Sequence, residues 1–385
     1  MAHRGQDGRA TVVTGLPRAL DVATGVGAAY ASRLLAEIGW DVIKAEPSGG
    51  DPLRRDASRW GGGVGGAFIF ANAGKRGVSV DEPTLRRLAS VADVVIGDFS
   101  PSGIAAMGLP SDAYDTLAPR QAMTSVSAFG LTGPKAAWTS TDLIVQAASG
   151  LMFLTGEHDQ PPMQLPPYQG AIMGGIAAAS ATLLAVRSSR RDGKLRHTDT
   201  SLVEALAVHT AGQVSEYVYR GTIARREARI KGGLRMVPAS DRFVYCAPGA
   251  VSSMRMDGVA VLLDEPRLAE ERFQTAEGRM KHYDEFIALF VPPFKRKTAQ
   301  EWFEGAEALH MTFALVQTIE DLFQCPQIKA RELLRTTEAS DGRQIRTPGR
   351  PFRVVGGPRA ATKPAPARPG IHTSEVLAEW LGESH

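Results

Sequence analysis

The side chains able to act as acids, bases or nucleophiles are spread unevenly through the middle of this chain. Asp142 stands where a helical pattern begins, and Glu157, His158 and Asp159 follow in a loop rich in glycine and proline. Tyr168 and Gln169 then lead into a long helical pattern, and the whole stretch from Gln160 to Arg190 holds no Asp or Glu at all. Each of these groups has a plainer role: Asp142 as a helix cap, the loop residues as ordinary polar surface. The candidate cations for an anionic ligand are the adjacent Lys75 and Arg76, in a turn that could equally be solvated surface, and Arg54 after Gly50-Asp51. Cys246 and Cys325 stand far apart with no C-x-x-C, which excludes a cysteine zinc site or disulfide framework and suits a reducing compartment.

The elements that must position these groups begin at Asp21. Small residues from Thr24 to Ala29 lead into a helical pattern in which Tyr30, Leu34, Leu35 and Ile38 share a face, with Gly39 as its stop. Trp40 to Glu46 reads as a buried strand and Pro47 to Asp51 as a turn. Strands are further expected at Val78–Asp81, Val94–Ile96 and Met123–Ser127, with a helix at Thr84–Ser90. Alternation of β and α argues for a parallel sheet, whose ligands sit at the carboxyl ends of the strands. Residues 59–66 are glycine-rich but lack G-x-G-x-x-G between strand and helix, so a dinucleotide site does not fit.

From Asp142 the pattern is helical, and a long helix from about Ile172 to Ser188 is made almost wholly of small or apolar residues, a composition that predicts burial on all sides. Asp192-Gly193 is a turn, and Ser201 to Glu204 matches a capping box opening the next helix. The texture changes after Thr222: a basic, glycine-containing connector (223–236), then a strand and turn at Phe243–Ala250 and helices at Met280–Leu289, Thr298–Leu309 and Ile319–Phe323. Pro348 to Pro369 is an extended crossing segment, and Ser374 to Leu381 a closing amphipathic helix.

With 385 residues the chain suggests two domains, and 43% hydrophobic and 22% charged residues are globular values. The formal charge of +3, without aromatics among the basic residues, gives no nucleic-acid reading. The polar first nine residues lack a signal-peptide core, and no apolar run of membrane-spanning length is evident, so the reading is a soluble cytoplasmic protein with no membrane partner.

Several motifs, in order, carry a resemblance. The stretch Asp21 to Arg54, with G-W-D-V-I-K-A-E-P and G-D-P-L-R, resembles the opening of the class III coenzyme A transferases, the family that includes formyl-CoA and carnitine CoA-transferases and the α-methylacyl-CoA racemases. N-A-G-K-R (Asn72 to Arg76), A-D-V-V-I-G-D-F-S-P (Ala92 to Pro101), S-A-F-G-L-T-G-P (Ser127 to Pro134), D-L-I-V-Q-A-A-S-G-L-M (Asp142 to Met152), T-G-E-H-D-Q-P-P (Thr155 to Pro162) and the tail His372 to Gly382 are similar to the family as well. The resemblance implies an α/β protein: a Rossmann-like large domain built from both chain ends (1–222 and 331–385), a smaller α+β domain (223–330) and an interlocked dimer. It implies coenzyme A as substrate, with Gly25 and Val26 along its path and Asn72, Lys75 and Arg76 meeting adenosine and phosphates; no metal is implied.

The same resemblance exposes a departure. The family's nucleophilic aspartate, which attacks the thioester and then carries the acyl and CoA groups, corresponds to Ala171 here. The histidine that the racemases pair with it corresponds to Thr141, so two-base proton exchange lacks its residues too. Asp98 replaces an asparagine near where the CoA phosphates would lie, and Ala106 replaces a basic residue. Asp142, Asp159 and Tyr168 are the candidate substitutes. Three readings follow: a CoA-transferase-like enzyme with non-standard chemistry on acyl-CoA or a carboxylic acid; a silent subunit beside an aspartate-bearing sibling; and a racemase-like isomerase; the expected assembly is a homodimer or a heterodimer with a homologous subunit. An acidic side chain from elsewhere at the mouth of the long helix, within reach of a bound thioester, would overturn the view that this place lacks its carboxylate.

Overall fold

The computed structural model describes residues 3–4, 10–11, 15–55, 65–99, 120–226, 236–246, 256–339, 341–356 and 363–383. Ala106, most of the glycine segment 59–66, most of the connector 223–236 and the turn after Cys246 lie outside the described residues.

Six parallel strands form the central sheet: β1 (Arg18–Asp21), β2 (Asp41–Ala45), β3 (Arg76–Val78), β4 (Val94–Gly97), β5 (Ala122–Ser127) and β6 (Arg196–Ser201). Their order across the sheet is β3-β2-β1-β4-β5-β6. Chain order therefore reverses between β1 and β4, which opens a crevice at their carboxyl ends. The strands expected at 40–46, 94–96 and 123–127 are present. The one expected at Val78–Asp81 ends at Val78, because Asp81 caps the next helix by accepting from the Thr84 N–H. Strand β1 has no counterpart in the sequence reading.

The helices that carry the site are α1 (Val26–Glu37), α2 (Gly66–Asn72), α3 (Glu82–Val91), α4 (Asp142–Ala148) and α5 (Gln169–Asp192). After β6 follow α6 (Leu202–Ala207), with Ser201 as its cap, and α7 (Ala211–Arg220). Helix α5 lies on α1, and its glycines allow the approach. A Cβ on Gly175 would meet the Gly27 carbonyl oxygen at 2.7 Å, and one on Gly174 would collide with the Leu202 side chain. Ala178, Ala179 and Ala185 join Ala28, Ala29, Leu34 and Leu35 in the core of this layer.

Burial of α5 on all sides is not what the chain shows. Its α1-facing side is buried, but Leu184 is 69% exposed and Ile176 and Leu183 over a third exposed. The helix is also long and apolar enough to cross a membrane on length and composition, although half of that stretch is packed inside the protein.

The chain divides into two compact units, Met1–Thr155 with Pro162–Ala224 and Arg331–His385, and Gly156–Pro161 with Arg225–Ala330. In the first, the final helix α8 (Thr373–Leu381) places Val376 and Trp380 in the core with Leu88, Val95 and Met123. In the second, a three-stranded antiparallel sheet and short helices enclose Phe273, Phe286, Phe290, Phe294 and Trp302. The expected helix at 280–289 is two helices, Ala276–Lys281 and Tyr283–Phe290, broken at His282.

Candidate active site

The crevice at the β1–β4 reversal holds a cavity of about 470 Å³, within the usual range for small-molecule sites. Its wall includes Gly25, Val26 and Gly27 at the start of α1, Asp98 after β4, Ser127 at the end of β5, Trp138 to Asp142, Val145, Tyr168, Ala171 and Leu202. The N-termini of α1 and α5 thus open onto one cavity, beside the starts of α4 and α6, and a helix N-terminus presents backbone N–H groups without intrahelical acceptors and the positive end of a helix dipole.

A carboxylate of the chain itself stands at each. Helix α1 has no side-chain cap from its own N-cap residue, Gly25. Asp98 stands just ahead of it, its Oδ2 accepting from the N–H of Thr24 at 2.5 Å and of Gly25 at 2.6 Å, both before the helix's own first turn. Burial pushes the Asp98 carboxyl above the usual range, against the pull of the Gly25 and Thr24 N–H groups. The resemblance implies that Asp98 is a charge facing the ligand phosphates; the structure ties it to the backbone of the turn that leads into α1 and makes it part of the cavity wall.

Helix α5 is capped from a distance. Its N-cap, Tyr168, is left-handed (φ 67°) and gives no side-chain cap. Asp142 reaches across instead, its Oδ1 accepting from the N–H of Gly170 at 3.0 Å and of Ala171 at 3.4 Å. Its Oδ2 accepts from the Gln146 amide at 2.7 Å, and the Gln146 Oε1 accepts from the N–H of Leu165 at 2.8 Å. The mouth of the long helix therefore does hold a carboxylate, that of Asp142, turned to the backbone of its first turn. Asp142 caps α5 and not its own helix, whose N-cap is Thr141 and which has no side-chain cap. Ala171 itself sits in the first turn of α5, its methyl packed with Val26, Ala67, Leu53 and Tyr168.

The cations expected to meet phosphates are engaged elsewhere. Lys75 is buried, with Nζ donating to Asp21 at 2.6 Å, to the Ala29 carbonyl at 2.7 Å and to Asn72 Oδ1 at 2.7 Å. Burial lowers its pKa to about 8 in spite of Asp21. Asn72 is buried too and donates to the Phe68 carbonyl. Arg54 makes a two-point pair with Glu46 at 2.7 Å, donates to the Pro366 and Ala367 carbonyls and stacks on Phe68. Arg76 binds Asp41, Glu375 and Glu379. The Lys75-Arg76 turn is thus not solvated surface: both residues tie the sheet to its neighbours, and they border a separate cavity of about 380 Å³ with Lys363 and His372. Glu157, His158 and Asp159 belong to the second unit, where His158 and Asp159 are exposed and stand 3.8 Å apart. Cys246 is buried, which pushes its thiol up to about 12 and leaves it no nucleophile.

Sequence reasoning missed the group that anchors the crevice. Lys44 in β2 is fully buried on Asp51 at 2.9 Å, with Asp21 at 3.8 Å, and also meets the carbonyl of Ala23, just before α1. The signal was present: a lysine in the middle of a buried strand demands carboxylate partners. Trp138 on the cavity wall left no comparable sign.

A model of CoA-transferase family III matches residues 17–373. The chain belongs to that family. It is 30% identical over 382 residues to the succinate–glutarate CoA-transferase of Agrobacterium fabrum, covering 94% of each chain. It is 29% identical to the succinyl-CoA:(R)-benzylsuccinate CoA-transferase subunit BbsE of Thauera aromatica, covering 92% of each. Among solved structures, a CAIB/BAIF family protein from Brucella suis aligns with a TM-score of 0.82 and 25% identity over 94% of this chain and 98% of its own. Class III CoA-transferases are the relatives of this chain, and its mixed α/β fold with a parallel central sheet is theirs.

Proposed function

We propose that this chain holds a coenzyme A thioester, or the carboxylic acid it yields, with the acyl end in the crevice between α1 and α5, and acts without a covalent relay at residue 171. The observation that carries this reading is the pairing at the mouth of α5. Ala171 offers a methyl group where the family's aspartate would stand, and the nearby Asp142 carboxylate is engaged by two N–H groups and an amide. A carboxylate whose lone pairs are so engaged is a poor nucleophile. Family membership and the cavity's size support a thioester as ligand. Calorimetry with butyryl-CoA tests it: the wild-type chain should bind, and Ala171→Phe, which fills the crevice, should weaken binding about tenfold or more. Failure of the wild-type chain to bind any CoA thioester would end the proposal.

A second reading is that the chain is the silent member of a pair, joined to an aspartate-bearing homologue through an interlocked arrangement. Exposed apolar residues on α5 and α7, among them Leu184, Val214 and Val218, favour a covering partner, and the name of the Thauera relative includes "subunit". Native mass measurement with and without a co-expressed homologue separates the two. A racemase-like isomerase has the least support, since Thr141 on the crevice wall offers no base.

A further inference from the structure

One carboxylate oxygen on the crevice wall has no partner within the chain, and what it can do rests on the crevice holding a thioester. Asp98 is held through one oxygen only: its Oδ2 accepts from the N–H groups of Thr24 and Gly25. Among the described residues no group donates to its Oδ1, and that oxygen is not sealed from solvent. A Cβ on Gly25 would stand 3.2 Å from Oδ1, so this oxygen lies at the start of α1. There the N–H groups of Val26 and Gly27, both on the cavity wall, have no intrahelical acceptor. Among the described residues, the other ionisable groups on the wall are Asp142, whose oxygens are held by Gly170, Ala171 and Gln146, and the Tyr168 phenol. Burial raises the Asp98 pKa against the pull of Gly25, Thr24 and Lys44, so its carboxylate takes up a proton more readily than a surface aspartate does.

We propose that Asp98 is the general base of the crevice, using Oδ1 to activate a water molecule for hydrolysis of a coenzyme A thioester. The water gives one proton to Oδ1 as its oxygen bonds to the thioester carbon, and negative charge collects on the carbonyl oxygen. The start of α1, with the N–H groups of Val26 and Gly27 and the positive end of its dipole, favours that charge. The carbon–sulfur bond then breaks, the proton passes from Asp98 to the sulfur, and a carboxylic acid and coenzyme A leave. No side chain is acylated, so the methyl of Ala171 is no obstacle. Asp98→Asn removes the base and keeps the turn, because a single amide oxygen can accept both N–H groups that Oδ2 accepts now.

The test follows thiol release from butyryl-CoA by the full chain, with butyl-CoA, a thioether that cannot be hydrolysed, as the binding probe in calorimetry. Wild type should release coenzyme A, and a single turnover in heavy-oxygen water should place the label in butyrate and none in the chain. Asp98→Asn, with its melting curve as a folding control, should bind the thioether as wild type does yet hydrolyse butyryl-CoA about a hundredfold or more slowly. A wild-type chain that binds the thioether but leaves butyryl-CoA intact overturns the inference while leaving the crevice as an acyl site. Undiminished hydrolysis by folded Asp98→Asn overturns it as well, and so does label recovered in a carboxylate of the wild-type chain, a result that does not depend on the variant. If wild type binds neither the thioester nor the thioether, the thioester reading fails and the hydrolysis with it.

Discussion

Asp142 does two things that a helix-start residue rarely combines: it opens α4 and satisfies the first turn of α5. Replacing it with alanine leaves the N–H groups of Gly170 and Ala171 without their acceptor in a crevice wall. The expected cost is about 1–2 kcal/mol of stability, read from denaturant unfolding, with Asp142→Asn costing less. Sequence alone could pick out Asp142 as a cap, since aspartate before a helical pattern has that meaning by itself. It could not say which helix, because the second set of donors is 28 and 29 residues further along and meets it only in the folded chain. Ala171 was singled out for a different reason: the resemblance implies an aspartate there, and that comparison needs no geometry. Arg54, Lys75 and Arg76 were legible as cations, but their pairing was not, since their carboxylates come from other strands and from the C-terminal helix.

At the level of elements, Asp21, Lys44 and Lys75 bind the carboxyl ends of β1 and β2 and the entry to β3 into one buried charge group beneath the crevice. Burial opposes the charge on Asp21, but Lys44 and Lys75 outweigh it and hold its carboxyl below its ordinary 3.8. Above that value both folded and unfolded chains carry the anion, and the contribution to stability is complete. As pH falls, the unfolded chain takes up the proton first, so the contribution fades towards the lower folded value. Asp21→Asn should cost about 3 kcal/mol or more at neutral pH. The gap from wild type should stay flat down to about pH 5 and shrink below about pH 4 in acid-unfolding curves; a gap that grows with acid would contradict this assignment. The sheet was mostly legible because buried parallel strands such as Val94–Ile96 read as unbroken apolar runs. Strand β1 was not, being four residues with an arginine at its head. Neither was the hairpin Leu334–Glu338 with Gln344–Pro348, whose strands are mostly polar and only partly buried. The extent of α5 was underestimated at its ends, where Gly193 in the left-handed region closes it.

For the whole molecule, the chain keeps the architecture of CoA-transferase family III, with both of its ends in the unit that holds the crevice. The proposal turns on two side chains: the methyl at residue 171, where the resemblance implies an aspartate, and the Asp142 carboxylate seated on the N-terminus of α5. On this view the chain accommodates a thioester without becoming acylated or CoA-bearing. Intact mass decides it: the purified chain is incubated with saturating butyryl-CoA and quenched rapidly in acid, with Ala171→Asp treated in parallel. The expected result is an unmodified mass for the wild-type chain under conditions where calorimetry shows binding, and an acyl or CoA adduct on Ala171→Asp. An adduct on the wild-type chain, mapped by peptide fragmentation to Asp142 or any other carboxylate, would contradict it.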